Sequence, residues 1–123
     1  MTREEIFAFA AAKWGTKPDY PWQEYPDYAV LRHEYSRKWY ALIMNVNPDR
    51  IGLEGKDMVD IVNLKCQPPL VTIMLEKKGV FPAWHMNRKH WISVLPEPFP
   101  EEELTELLEL SWRLTAGRRK RKE

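Results

Sequence analysis

One cysteine, Cys66, is all the chain has, so no disulfide forms within it and no multi-thiolate zinc site can be built. That scarcity fits a reducing compartment, and a lone cysteine is expected to be a buried, inert thiol. Histidine is almost as scarce, and His33, His85 and His90 have no metal-ligand spacing. The five glycines are scattered, leaving neither a Walker loop nor a GxGxxG fingerprint. Apolar runs nowhere approach the ~18 residues that a membrane helix requires, and Met1-Thr2-Arg3-Glu4-Glu5 is charged at once, without the apolar region of a signal peptide. The expectation is a cytoplasmic protein with no membrane association. Excess charge of one sign is missing too: 19 Lys and Arg face 18 Asp and Glu, a net of +1. A polyanion would have to be met by a local patch and not by the field of the whole molecule.

Acid–base and nucleophilic chemistry find no support in the pattern. Asp57 and Asp60 read as a turn and a strand, and Glu101 to Glu103 as a helix start, where negative charge is favoured. Cys66 would need a base and a positive surrounding to act as a nucleophile, but its neighbour Lys65 points to the opposite face of a strand. No catalytic residue, metal or cofactor is expected.

What is present is aromatic mass and proline, with six Trp, five Tyr, four Phe and ten Pro among 123 residues. That length suits one domain over residues 1–117, followed by a basic tail. Thr2 and Glu5 form a capping box, Ile6, Phe9, Ala10 and Trp14 recur on one helical face, and Gly15 with Pro18 ends the helix. Prolines 18, 21 and 26 among Tyr20, Trp22, Tyr25 and Tyr28 predict an irregular aromatic segment with an edge strand and turns. Alternating residues predict a hairpin from Ala29–Tyr35 and Trp39–Val46, a short strand at Ile51–Leu53 and a long one at Met58–Lys65. Pro68 and Pro69 open a second helix presenting Leu70, Ile73, Met74 and Lys77, with Gly79 after it. Trp91–Leu95 is the last strand, and Leu104, Leu107, Leu108, Ser111 and Thr115 carry the firm period of a final helix capped by Gly117. The order predicts an α+β, two-layer sandwich: an antiparallel sheet of about five strands, with helices at the N-terminus, middle and C-terminus.

The run Pro82-Ala83-Trp84-His85-Met86-Asn87-Arg88-Lys89-His90-Trp91 concentrates indoles, imidazoles and cations. Such a mixture can stack on bases and neutralise phosphates. It can also be a packed corner, with Trp84 and Trp91 buried for their area, Asn87 capping a turn and the histidines satisfied locally. Arg118, Arg119, Lys120, Arg121 and Lys122 form a charge run expected to be a disordered terminus. If that tail neutralised ~4 phosphates on duplex DNA, log K would fall against log salt with a slope of about −3.6.

Lys38-Trp39-Tyr40-Ala41-Leu42-Ile43, Asn63-Leu64-Lys65-Cys66, the run from Pro82 to Val94, and Ser111-Trp112-Arg113-Leu114 occur in the order and rough spacing of the MmcQ/YjbR family, which the chain resembles over most of its length. The segment from His85 to Trp91 is the most specific part. Trp84 and Trp112 stand where family members often show Tyr. The resemblance implies an α+β fold similar to secretion chaperones and frataxin-like proteins, and a label of DNA binding through a double-wing arrangement. On that reading Lys38, Lys65, Arg88, Lys89 and the tail at Arg118–Lys122 meet phosphate, Trp84 or Trp91 stacks on bases, and His85, Asn87 and His90 complete the surface. The alternative is a protein-interaction or chaperone-like adaptor domain using the aromatic segment Tyr20–Tyr28. A small-ligand cleft between the sheet and the Trp84–Trp91 corner is a third reading. The chain is expected to be a monomer.

Overall fold

The computed structural model describes residues 1–117, so the basic tail at Arg118–Lys122 lies outside the described residues. Helix α1 (Arg3–Trp14) starts at Thr2, whose hydroxyl accepts from the Glu5 amide while the Glu5 carboxylate accepts from the Thr2 amide, and it ends at Gly15 with φ 70°. Strands β1 (Ala29–Arg32) and β2 (Trp39–Val46) form the hairpin. Then come β3 (Val59–Lys65), α2 (Pro68–Met74), β4 (Val80–Pro82), β5 (Trp91–Val94) and α3 (Glu101–Thr115). The five strands lie in the order β1-β2-β3-β5-β4, every neighbouring pair antiparallel. This is the α+β architecture expected from the pattern, with helices at both ends and in the middle.

Four local details differ from expectation. The first hairpin strand stops at Arg32, because the His33 amide turns to the Lys38 carbonyl and starts a loop. Residues Pro48–Ile51 form a 3₁₀ turn and not the start of a strand at Ile51–Leu53, since Pro48 enters the turn and Gly52, φ 79°, closes it. Helix α2 ends at Met74, short of Lys77. Strand β4 was not anticipated; three residues ending in Pro82 give no readable alternation, and the strand takes its place at the sheet edge by pairing with β5.

Strand periodicity sends alternate residues to opposite faces. Ala29, Leu31, Ala41, Ile43, Val62, Leu64, Ile92 and Val94 face the helices and pack with Ile6, Ala10, Val71, Leu104 and Leu108. Val30, Leu42, Met44 and Ile61 face the other way, into a second cluster closed by Trp39 of β2, Phe81 of β4 and, from loops, Trp22, Trp84 and Met86. The β1–β2 register slips between Leu31 and Arg32, so that Leu31 opposes Ala41 while Arg32 opposes Trp39. The extra residue, Tyr40, turns towards the helix layer, as a β-bulge permits. There it meets Trp14 edge-on at 5.2 Å, and Trp14 stacks on Trp112 at 5.3 Å, tying α1, α3 and the hairpin together. Among the described residues no helix is long and apolar enough to cross a membrane.

Candidate nucleic-acid interface

Asn63 and Ser93 sit opposite one another on β3 and β5, both fully buried, on the face away from the helices. Together they fix the aromatic run. The Trp84 amide donates to Ser93 Oγ at 2.9 Å, Ser93 Oγ donates to Asn63 Oδ1 at 2.5 Å, and Asn63 Nδ2 donates to the Trp84 carbonyl at 2.8 Å. The triangle leaves the Trp84 backbone no freedom, and the next residue, His85, takes a left-handed φ of 64°. That conformation costs a non-glycine residue about 1–2 kcal/mol and persists where neighbours over-determine it. It leaves the exposed imidazole against the Trp84 indole, ring centroids 4.2 Å apart.

The rest of the run is a braced turn. Asn87 Oδ1 accepts from the Lys89 amide at 2.8 Å, the capping role available to an Asn. The His90 amide donates to the Asn87 carbonyl, and the His90 carbonyl accepts from the Cys66 amide. Arg88 Nε closes the loop onto the Ala83 carbonyl at 3.3 Å. Trp84 and Trp91 are half-buried, while Asn87, Arg88 and Lys89 are exposed.

Cations and indoles are paired across this face. Lys65 Nζ lies 5.6 Å over the Trp91 ring, its register partner. Arg50 lies 5.7 Å over Trp84 and Arg32 5.7 Å over Trp39. Each such contact contributes about 0.5–1 kcal/mol at an exposed site. Arg32 is also held by Asp19 at 2.9 Å, whereas Lys38, Lys65, Arg88 and Lys89 form no ion pair among the described residues.

Lys65 and Trp91 are register partners at one end of the sheet, and Lys38 precedes β2 at that same end. The β2–β3 ladder stops at Ala41 and Leu64; beyond it Ser111 Oγ donates to the Tyr40 carbonyl at 2.6 Å and accepts from the Lys65 amide at 2.9 Å. The C-terminal turn of α3 is thereby anchored beside Lys65, and a Cβ placed on Gly117 would lie 3.3 Å from Lys38 Nζ. Gly117, the last described residue, therefore sits next to Lys38. Two residues here escaped the sequence reading: Tyr35, 89 % exposed at the hairpin tip, and Arg37, two positions on. Their signal was the same aromatic–cation interleaving as in the later run, in Tyr35-Ser36-Arg37-Lys38.

Trp84 and His85 instead look towards the far end of the sheet, where they line an open cleft of about 460 Å³ with Tyr25, Tyr28, Asn45 and Arg50. Beneath it Arg3 grips Asp60 through Nε at 3.0 Å and Nη2 at 2.8 Å, Asn45 Nδ2 donates to the same carboxylate at 2.9 Å, and Arg3 Nη1 donates to the Asp27 carbonyl on the rim. Burial alone would raise the Asp60 carboxyl, but the bonds from Arg3 and Asn45 hold it below its usual range. Burial also pushes the Tyr28 phenol up. Cys66 is buried, its thiol pushed up by burial and away from the reactive thiolate. Among the described residues no cluster of three or more His, Cys, Asp or Glu could hold a metal ion.

Similarity to known proteins covers the whole of this arrangement. The Bacillus subtilis protein YyaQ, described as uncharacterised, is 48% identical over 116 residues, spanning 94% of this chain and 98% of its own length. A crystal structure of a Pseudomonas syringae protein superposes with a TM-score of 0.91 at 46% identity, covering 94% of this chain and 99% of that one. A Deinococcus radiodurans protein shares the fold, with a TM-score of 0.73 at 23% identity over 98% of this chain and 83% of its own. With the YjbR family model matching residues 11–114, the chain belongs to the YjbR family.

Proposed function

We propose that the chain binds the nucleic-acid phosphate backbone weakly and without sequence preference, through the sheet end that carries Lys38, Lys65 and Trp91. The observation that carries this reading is the Lys65 ammonium poised over Trp91 with no carboxylate paired to it among the described residues. A cation beside a half-exposed ring serves both parts of a nucleotide, charge for the phosphate and a π-face for the base. Arg88 and Lys89 precede Trp91 in an exposed turn, and Tyr35, Arg37 and Lys38 project from the hairpin. Five further cations follow Gly117. Affinity in the non-specific range of ~10⁻⁴ to 10⁻⁶ M is expected.

The test is fluorescence anisotropy of labelled single-stranded and duplex DNA at two salt concentrations. Binding that weakens with salt, and weakens further in Lys65→Gln with Lys89→Gln, supports the reading. Unchanged anisotropy at low salt with excess protein overturns it. A second reading, docking of a protein partner, draws on the exposed Tyr20, Tyr25 and Met58 beside the aromatic segment. It is favoured if a defined partner is retained after nuclease treatment and lost in Tyr25→Ser.

A further inference from the structure

We propose that the cleft between Trp84 and the Tyr25–Tyr28 rim is a seat for one nucleotide, a planar base with its phosphate, offered either free or as an unstacked unit of a single strand. The second source rests on the nucleic-acid reading above; the first does not.

Three features converge. Tyr25 and Tyr28 are stacked at 4.7 Å and 17°, and Tyr25 is 51 % exposed, so an aromatic stack is begun at the rim and left open. A planar heterocycle extends such a stack whatever its identity. Arg50 and His85 flank Trp84 on the opposite wall. Neither has an ion-pair partner among the described residues, although Glu24 and Asp27 line the same cleft. A guanidinium that stays on an indole and away from nearby carboxylates is available to a phosphate, for which its forked donors are suited. The left-handed backbone at His85 is the third. It is imposed by the Asn63–Ser93 bonds one residue earlier and places the imidazole on the cleft wall.

The cleft volume of about 460 Å³ falls in the range of small-molecule sites. Glu24 and Asp27 are acceptors without donors of their own, suited to the amino hydrogens of a base or the hydroxyls of a sugar and not to the phosphate. The seat is therefore polarised, cationic on the Trp84 side and anionic on the tyrosine side. From Asp60, under the cleft, to Lys65 is five residues of one strand, about 17 Å, so the seat and the basic sheet end are separate places on one face.

Amide and indole NMR shifts of the full chain, titrated with adenosine monophosphate, cytidine monophosphate, adenosine and inorganic phosphate, test the proposal. The monophosphates are expected to move Trp84 Nε1, His85, Asn47 and Arg50 with millimolar or tighter affinity. Adenosine should bind about tenfold more weakly, the loss of a charge-assisted contact, and Arg50→Gln should abolish that difference. Saturable shifts from inorganic phosphate equal to those from the nucleotides, or no cleft shifts from any nucleotide, overturn it. Lys65→Gln with Lys89→Gln should leave mononucleotide binding unchanged while weakening DNA binding. Absence of DNA binding by the unaltered chain, with mononucleotide binding retained, thus fails only the backbone reading. An oligonucleotide that leaves Trp84 unshifted when bound restricts the seat to free nucleotides.

Discussion

Asn63 commits both ends of its amide to one loop, and that single side chain decides where Trp84 stands. Asn63→Ala would leave the half-buried Trp84 carbonyl without this donor and the buried Ser93 hydroxyl hydrogen without its acceptor, although Ser93 Oγ would still accept from the Trp84 amide. The expected loss is about 2–3 kcal/mol in urea unfolding, the cost of stranding buried polar groups. Because the three bonds form one closed unit, Asn63→Ala and Ser93→Ala should be non-additive, and a double-mutant cycle measures the coupling. His33 provides a second residue-scale prediction. Burial lowers its imidazole from the ordinary 6.5, with Lys38 adding to the effect, against the opposing bond at Trp112. Its Nε2 meets Thr115 Oγ1 at 2.9 Å, and its ring lies against Tyr40 and Trp112. The unfolded chain thus takes up this proton before the folded one does. The stability is complete above the unfolded value and is lost as pH falls through 6.5 towards the lower folded value. Urea midpoints measured from about pH 7.5 to about pH 5 should decline, and His33→Phe should flatten that decline, since Thr115 Oγ1 keeps its bond to the Ser111 carbonyl. Asp60, held below its usual range, acts only in a more acidic window, so the two effects separate.

Elements were readable where their own pattern sufficed, and unreadable where a neighbour completed them. Helix α1 carries its start and stop in Thr2, Glu5 and Gly15, and α3 has its apolar stripe in Leu104, Leu107, Leu108, Ser111 and Thr115. The alternation in β3 is legible as a strand, and in the fold Ile61 faces one cluster while Val62 and Leu64 face the other. Strand β4 has no such signal, since it exists through β5. The candidate site divided the same way. The Trp84–Trp91 run stood out as a sequence, but Arg50 reaches Trp84 from a turn more than thirty residues away, and Ser111 joins Lys65 across 46 residues. No local pattern encodes such meetings. Ser111 lies on the periodic, buried stripe of α3, and it also takes over where the β2–β3 ladder ends. Ser111→Ala would leave the Tyr40 carbonyl and the Lys65 amide without that hydroxyl. A destabilisation of about 1–3 kcal/mol is expected, along with faster exchange of the Lys65 amide than of the Leu64 amide. Equal exchange of the two would show that the helix does not hold this end of the sheet.

On the scale of the whole molecule, a net charge of +1 conceals an uneven distribution. Among the described residues Lys38, Lys65 and Lys89, around one sheet end, form no ion pair, whereas Lys77 is paired with Glu103 at 3.0 Å. Counterion release makes this asymmetry measurable, because every phosphate neutralised on duplex DNA adds about 0.9 to the slope of log K against log salt. Replacing Lys38, Lys65 and Lys89 together by Gln should therefore lower that slope by about 2.7. Deleting residues 118–123 should lower it by up to about 3.6 if four tail cations reach phosphate. Since Gly117, after which the tail begins, sits beside Lys38, the two sets are expected to act on one DNA track, and removing both should reduce the slope by nearly the sum. Lys78→Gln, a change of equal charge near the β4 edge, should leave the slope where it was. A slope that tracks only the number of charges removed, with Lys78 counting as much as Lys65, would mean that DNA feels the molecule as a diffuse cation. The sheet end would then have no special part in binding.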